Sequence, residues 1–114
     1  MKNKTEIWVS FSYGGWNLVF SKHFDLPFVP FHGLCLMDKT ENFENPIRLE
    51  TNEYCSTFIQ YNLKNQSFYI NVRNVWKYGV MDEVIDDAIN IFTKTGWTRE
   101  DNTDISKLKE LMHR

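Results

Sequence analysis

The sequence predicts an α+β fold, a single domain over residues 1–114. A twisted or partly closed antiparallel sheet of roughly five to six strands packs against one amphipathic helix, with a short C-terminal helix beside it. Three observations predict this. Runs that alternate apolar and polar residues, or are rich in β-branched and aromatic residues, dominate the chain up to Trp76. The apolar period then switches to helical spacing from Met81. The length, 114 residues, is that of one domain able to bury its own core.

Glu6 to Tyr13 alternates, with Ile7, Val9, Phe11 and Tyr13 pointing one way and Trp8, Ser10 and Ser12 the other. Gly14-Gly15 suits a tight primed hairpin turn, where both positions can need positive φ. Trp16, Leu18 and Phe20 then alternate with Asn17, Val19 and Ser21. A two-residue loop sets Tyr13 against Trp16, Phe11 against Leu18 and Val9 against Phe20. All large apolar side chains of this hairpin then share one face, except Trp8 and Val19.

His23 to Phe31 holds Pro27 and Pro30, each lacking an N–H donor, so it is expected as an apolar connection or edge. It either closes one end of the sheet or forms an exposed contact surface, and closure is the favoured expectation. Gly33 to Asp38 and Pro46 to Thr51 are short strands expected to pair through a long loop around Phe43.

Cys55 to Trp76 is the stretch expected at the centre of the sheet. Two strand-like runs flank Lys64-Asn65. A two-residue loop sets Leu63 against Gln66, Tyr61 against Phe68, Ile59 against Ile70 and Thr57 against Val72. The opposite face then carries Phe58, Gln60, Asn62, Ser67, Tyr69, Asn71 and Arg73, and a one-residue slip would mix the two sets.

Met81, Val84, Ile85, Ala88, Ile89 and Phe92 predict a helix over Met81 to Thr95, acidic at its start and ending before Gly96. Trp97 is expected to fold back onto the core. Ile105, Leu108, Leu111 and Met112 predict a second helix, capped by Asn102, Thr103 or Asp104.

The net charge of −2 offers no basic footprint, so nucleic acid is an unlikely partner. No run approaches the length of a membrane span, so no membrane partner is expected. The start lacks the apolar stretch of a signal peptide, and the default location is cytoplasmic, with both cysteines reduced. Aromatic residues form 16% of the chain, which reads first as core material and second as a binding surface.

Candidate chemistry is sparse. His32 and Cys35 are close in sequence, but a metal site needs three or four converging ligands, so no metal and no cofactor are expected. Ser21, His23 and Asp25 lie near one another without a strained nucleophile turn. Asp82, Glu83, Asp86 and Asp87 could as paired carboxylates hold a divalent cation or do acid–base work, but read first as a solvated face complementing the helix dipole, with docking of a basic partner as a third option. No coherent catalytic set emerges, and no motif is specific enough to name a family.

The leading expectation is a small non-enzymatic binding protein. It acts on a protein partner or by self-association, in the manner of inhibitor or immunity proteins. Its candidate surface is the second face of the Cys55 to Trp76 hairpin: Phe58, Gln60, Tyr69, Asn71 and Arg73. The alternative is a small-molecule pocket between sheet and helix, lined by Trp16, Phe28, Phe31 and Trp76.

Overall fold

The computed structural model of the chain describes residues 2–113. The fold is α+β, with a five-stranded mixed sheet, a separate two-stranded sheet and two helices among the described residues. In chain order the elements are β1 (Asn3–Tyr13), β2 (Trp16–Leu26), β3 (Cys35–Lys39), β4 (Glu44–Arg48), β5 (Cys55–Asn62), β6 (Ser67–Val75), α1 (Asp82–Lys94), β7 (Thr98–Arg99) and α2 (Ile105–Met112). The large sheet has the order β5-β6-β1-β2-β7.

The first hairpin has the register that its alternation predicts, with Tyr13 opposite Trp16 and Val9 opposite Phe20. Gly14 and Gly15 take φ of 54° and 85°, the left-handed values that a side chain resists. The second hairpin also keeps its predicted register, with Ile59 opposite Ile70 and Thr57 opposite Val72. Its turn is longer than the expected two residues. Asn62 Oδ1 accepts from the Lys64 and Asn65 N–H groups, which ends the ladder at Asn62 and Ser67.

Several expectations need correction. The sheet is not wholly antiparallel, because β6 pairs parallel to β1, with Ile7 beside Ile70 and Val9 beside Val72. The β5–β6 hairpin is therefore not central: β1 is the middle strand and β5 is an edge. Between β2 and β5 the chain crosses the apolar face and places β3 and β4 there as their own small sheet, joined by a short turn that Thr40 closes onto Phe43. The His23 to Phe31 stretch is not one connection: its first part, through Leu26, continues β2 against β1, and Pro27 to Phe31 does not close the core. Leu26 and Pro30 are buried anchors, but Phe28, Val29 and Phe31 are exposed. Finally, the polar run after Trp97 supplies β7, a short strand added to β2.

One apolar cluster holds these parts together. Ile7, Val9, Leu18, Phe20, Ile70 and Val72 come from one face of the sheet. Ile47 and Leu49 close on them from the β3–β4 side, and Ile85 and Phe92 from α1. The Phe92 ring stacks on Phe20 at 4.5 Å and meets Trp97 edge-on at 5.0 Å. Trp97 thus folds back as its position after Gly96 predicts, and it is 6% exposed.

A polar node fastens the small sheet over this core. Lys22 Nζ donates to Asp38 at 2.9 Å and to the Thr95 carbonyl at the end of α1 at 2.5 Å. Asp38 also accepts from Trp97 Nε1 at 2.7 Å. Buried Asn45 donates to Thr95 Oγ1. The ammonium of Lys22 sits where the helix dipole favours a cation.

Candidate functional site

Both helices and the small sheet pack on the apolar face, which leaves the other face of β5, β6 and β1 uncovered. Strand register builds that face in rows. Gln60, Tyr69 and Glu6 stand side by side across β5, β6 and β1. Phe58, Asn71 and Trp8 form the next row, and Ser56, Arg73 and Ser10 the one after. The five predicted residues are therefore neighbours on one surface. Phe58 is 58% exposed, Gln60 and Arg73 are exposed, and Tyr69 and Asn71 are half-buried.

Two shallow depressions mark this surface. One, of about 220 Å³, is lined by Ser56, Phe58, Asn71 and Arg73. Within its row Arg73 lies between Ser56 and Ser10, and it is exposed. Among the described residues Arg73 forms no ion pair. The second depression, of about 670 Å³, includes Glu6, Gln60 and Tyr69 and runs toward the β5–β6 turn.

Trp8 and Glu6 belong to this surface but were not among the predicted residues. The Trp8 indole N–H donates to Glu6 Oε1 at 2.5 Å, which fixes the ring beside Asn71. A signal for Trp8 existed in the sequence. It is the one aromatic on the polar side of an otherwise strictly sorted strand. What the sequence lacked was the parallel β1–β6 pairing that brings it next to Phe58 and Asn71.

The other candidates resolve differently. Ser21, His23 and Asp25 share the open face on β2, but the Ser21 hydroxyl donates to Glu100 at 2.7 Å instead of to the imidazole. No cluster of three His, Cys, Asp or Glu groups able to hold a metal occurs among the described residues. Cys35 is exposed, and Cys55 is half-buried. Burial pushes the Cys55 thiol pKa up; a hydrogen bond with Thr57 opposes this and the Glu50 charge adds to it. The acidic start of α1 docks the chain's own second helix: Asp82 meets His113 at 2.9 Å and Asp86 meets Lys109 at 2.7 Å. The Asp86 hydrogen bond raises the Lys109 pKa.

A cleft of about 310 Å³ does lie between the sheet and α1. Its walls include Val9, Phe11, Ile47, Val72, Ala88 and Phe92, with Arg48 and Glu50 among its polar lining residues. None of Trp16, Phe28, Phe31 and Trp76 lines it. Trp76 stacks on Phe11 at 5.3 Å, while Phe28 and Phe31 point to solvent in the connection after β2.

Among the described residues no helix is long and apolar enough to cross a membrane. No protein-family model, curated protein or solved structure matches this chain, so its chemistry is read from this geometry alone.

Proposed function

We propose that the protein is a non-enzymatic binding module whose open sheet face engages a protein partner. The observation that carries this reading is the row structure: Phe58, Trp8 and Tyr69 lie beside Asn71, Gln60 and Arg73, which forms no ion pair among the described residues, on one face of the sheet. Aromatic and arginine side chains are the anchors that dominate protein interfaces, and the surrounding amides and hydroxyls supply a polar rim. The cations of the β1 and β6 rows, Lys4 and Arg73, are too few to follow a nucleic-acid backbone, and Glu6 lies between them. A protein partner presenting a carboxylate to Arg73 and an apolar side chain to Phe58 fits this surface.

The test begins with capture from lysate using wild type and the double variant Phe58→Ala, Arg73→Glu. A protein held by wild type and released by the variant is then titrated directly by calorimetry. Loss of such anchors is expected to weaken binding by about 2 kcal/mol or more, a factor of roughly thirty. Identical capture by both proteins, or a titration that the variant leaves unchanged, defeats the reading.

A second reading rests on the sheet–helix cleft. Its volume is at the lower limit of ligand pockets, and its walls are largely apolar, with Arg48 and Glu50 in its lining. A small apolar ligand carrying one polar group suits it. Ala88→Trp would fill the cleft, so a ligand that binds this variant as well as wild type does not occupy it.

A further inference from the structure

The edge strand β5 is half blocked and half bare, and the boundary has a geometric meaning. The Val75 N–H donates to the Tyr54 carbonyl at 2.8 Å, one step beyond the Cys55–Asn74 pair. An antiparallel ladder alternates from such a pair, so even-numbered residues of β5 bond to β6. The N–H and C=O groups of the odd-numbered residues face away from the sheet. At Cys55, and at the Thr57 N–H, the preceding turn already occupies them. Asn52 Oδ1 accepts from the Cys55 N–H, the Asn52 N–H donates to the Cys55 carbonyl, and Thr51 Oγ1 accepts from the Thr57 N–H. Past that turn, among the described residues, nothing bonds to the outward groups of Ile59 and Tyr61.

This bare half lacks the usual protection of an edge. Cys55 to Asn62 contains no charged residue and no proline, and its register with β6 is unbroken by a bulge. Phe58 and Tyr61 are exposed along it, and Leu63, in the turn just past its end, is 84% exposed.

We propose that a second copy of the chain occupies this edge, pairing antiparallel about a two-fold axis at Gln60. Ile59 then bonds to the partner's Tyr61 and Tyr61 to the partner's Ile59, which satisfies every bare group named above. The exposed Phe58 meets the partner's Asn62 on the open face, and Ile59 meets Tyr61 on the other. A strand from a different chain would have to match both the spacing of the bare residues and their side chains. A second copy matches them by symmetry, and the uncharged strand sets no like charges opposite one another. The blockage by Thr51 and Asn52 ends where this pairing begins. Joined this way, two five-stranded sheets become one, with both open faces on the same side. The pairing does not depend on what the open face binds.

Light scattering of the purified chain tests this. Wild type is expected at twice the 13.7 kDa of the chain. Tyr61→Pro removes an N–H that faces away from β6, so it leaves the internal ladder intact and is expected to give a folded monomer. A second measurement uses Gln60→Cys in a Cys35→Ser, Cys55→Ser background. The two-fold places position 60 opposite itself at a non-hydrogen-bonded pair, close enough for an intermolecular disulfide on mild oxidation. A dimer lost in folded Tyr61→Pro supports the proposal. If that variant fails to fold, the crosslink decides: its formation supports the proposal and its absence overturns it. A wild-type monomer, or a dimer that folded Tyr61→Pro leaves intact, also overturns it.

Discussion

Asp101 shows how much one carboxylate can organise. Its side chain accepts from the Val19 N–H at 2.8 Å, from the Thr103 N–H at 3.0 Å and from the Arg99 guanidinium at 2.7 Å. It thereby ties the run after Trp97 to β2, and Thr103 adds a hydroxyl bond to the Asn17 carbonyl. Burial works to raise the Asp101 pKa, but the hydrogen bonds from Arg99, Val19 and Thr103 outweigh it and hold the carboxyl below its ordinary value. A carboxyl held low contributes stability that is fully present above the unfolded pKa and is lost as pH falls through the folded one. Asp101→Asn is expected to cost about 1–3 kcal/mol near neutral pH. The gap from wild type should shrink once pH drops below the ordinary 3.8. Urea melts at several pH values check both statements, and a gap that widens in acid contradicts them. The cysteines give a second test at this scale. The thiolate is the reactive form, and burial disfavours it at Cys55. Iodoacetamide at neutral pH is expected to label exposed Cys35 first, and equal labelling rates by mass spectrometry would refute that.

At the scale of elements, α1 begins without a side-chain cap. Met81 occupies the N-cap with φ −70° and ψ 154°, and its side chain makes no capping bond. The negative charges of Asp82 and Glu83 in the first turn partly compensate through the helix dipole. The Met81 backbone already has cap geometry and its side chain is exposed. Met81→Ser is therefore expected to stabilise the protein by about 1 kcal/mol, read as a raised urea midpoint. An unchanged or lowered midpoint would show that the exposed methionine makes contacts worth keeping. By contrast, α2 has a side-chain cap, Asp104 of the three candidates the sequence offers, accepting from the Lys107 N–H. Its approach is set by Gly79, where any Cβ would collide with the Met112 carbonyl. Gly79→Ala is expected to displace the end of α2 and cost about 1–3 kcal/mol. Thermal melts measure this, and a variant as stable as wild type would mean that α2 shifts freely.

At the scale of the whole molecule, β1 is the strand on which the rest depends. It pairs with β2 on one side and with β6, more than half a chain away in sequence, on the other. The amides of Ile7, Val9, Leu18, Phe20, Ile70 and Val72 are expected to exchange slowest with deuterium, because they open only with the whole fold. Slowest exchange in α2 instead would place the stable unit elsewhere. Both hairpin registers, both helices and the return of Trp97 were legible in the sequence, since alternation, turn residues and helical spacing act between near neighbours. The shared face of Phe58, Gln60, Tyr69, Asn71 and Arg73 followed from the same alternation. The parallel β1–β6 pair was not legible. Period-two patterns state which side chains point inward but not which strand lies beside which. That choice was made by the crossing of β3 and β4 over the apolar face, which delivers the second hairpin to the free side of β1. So the sequence by itself determined the local elements and their buried faces, through contacts close along the chain. Only the tertiary structure decided that Trp8 and Glu6 join the open face, and that β5 ends the sheet with its edge half bare, because both depend on hydrogen bonds between segments far apart in sequence.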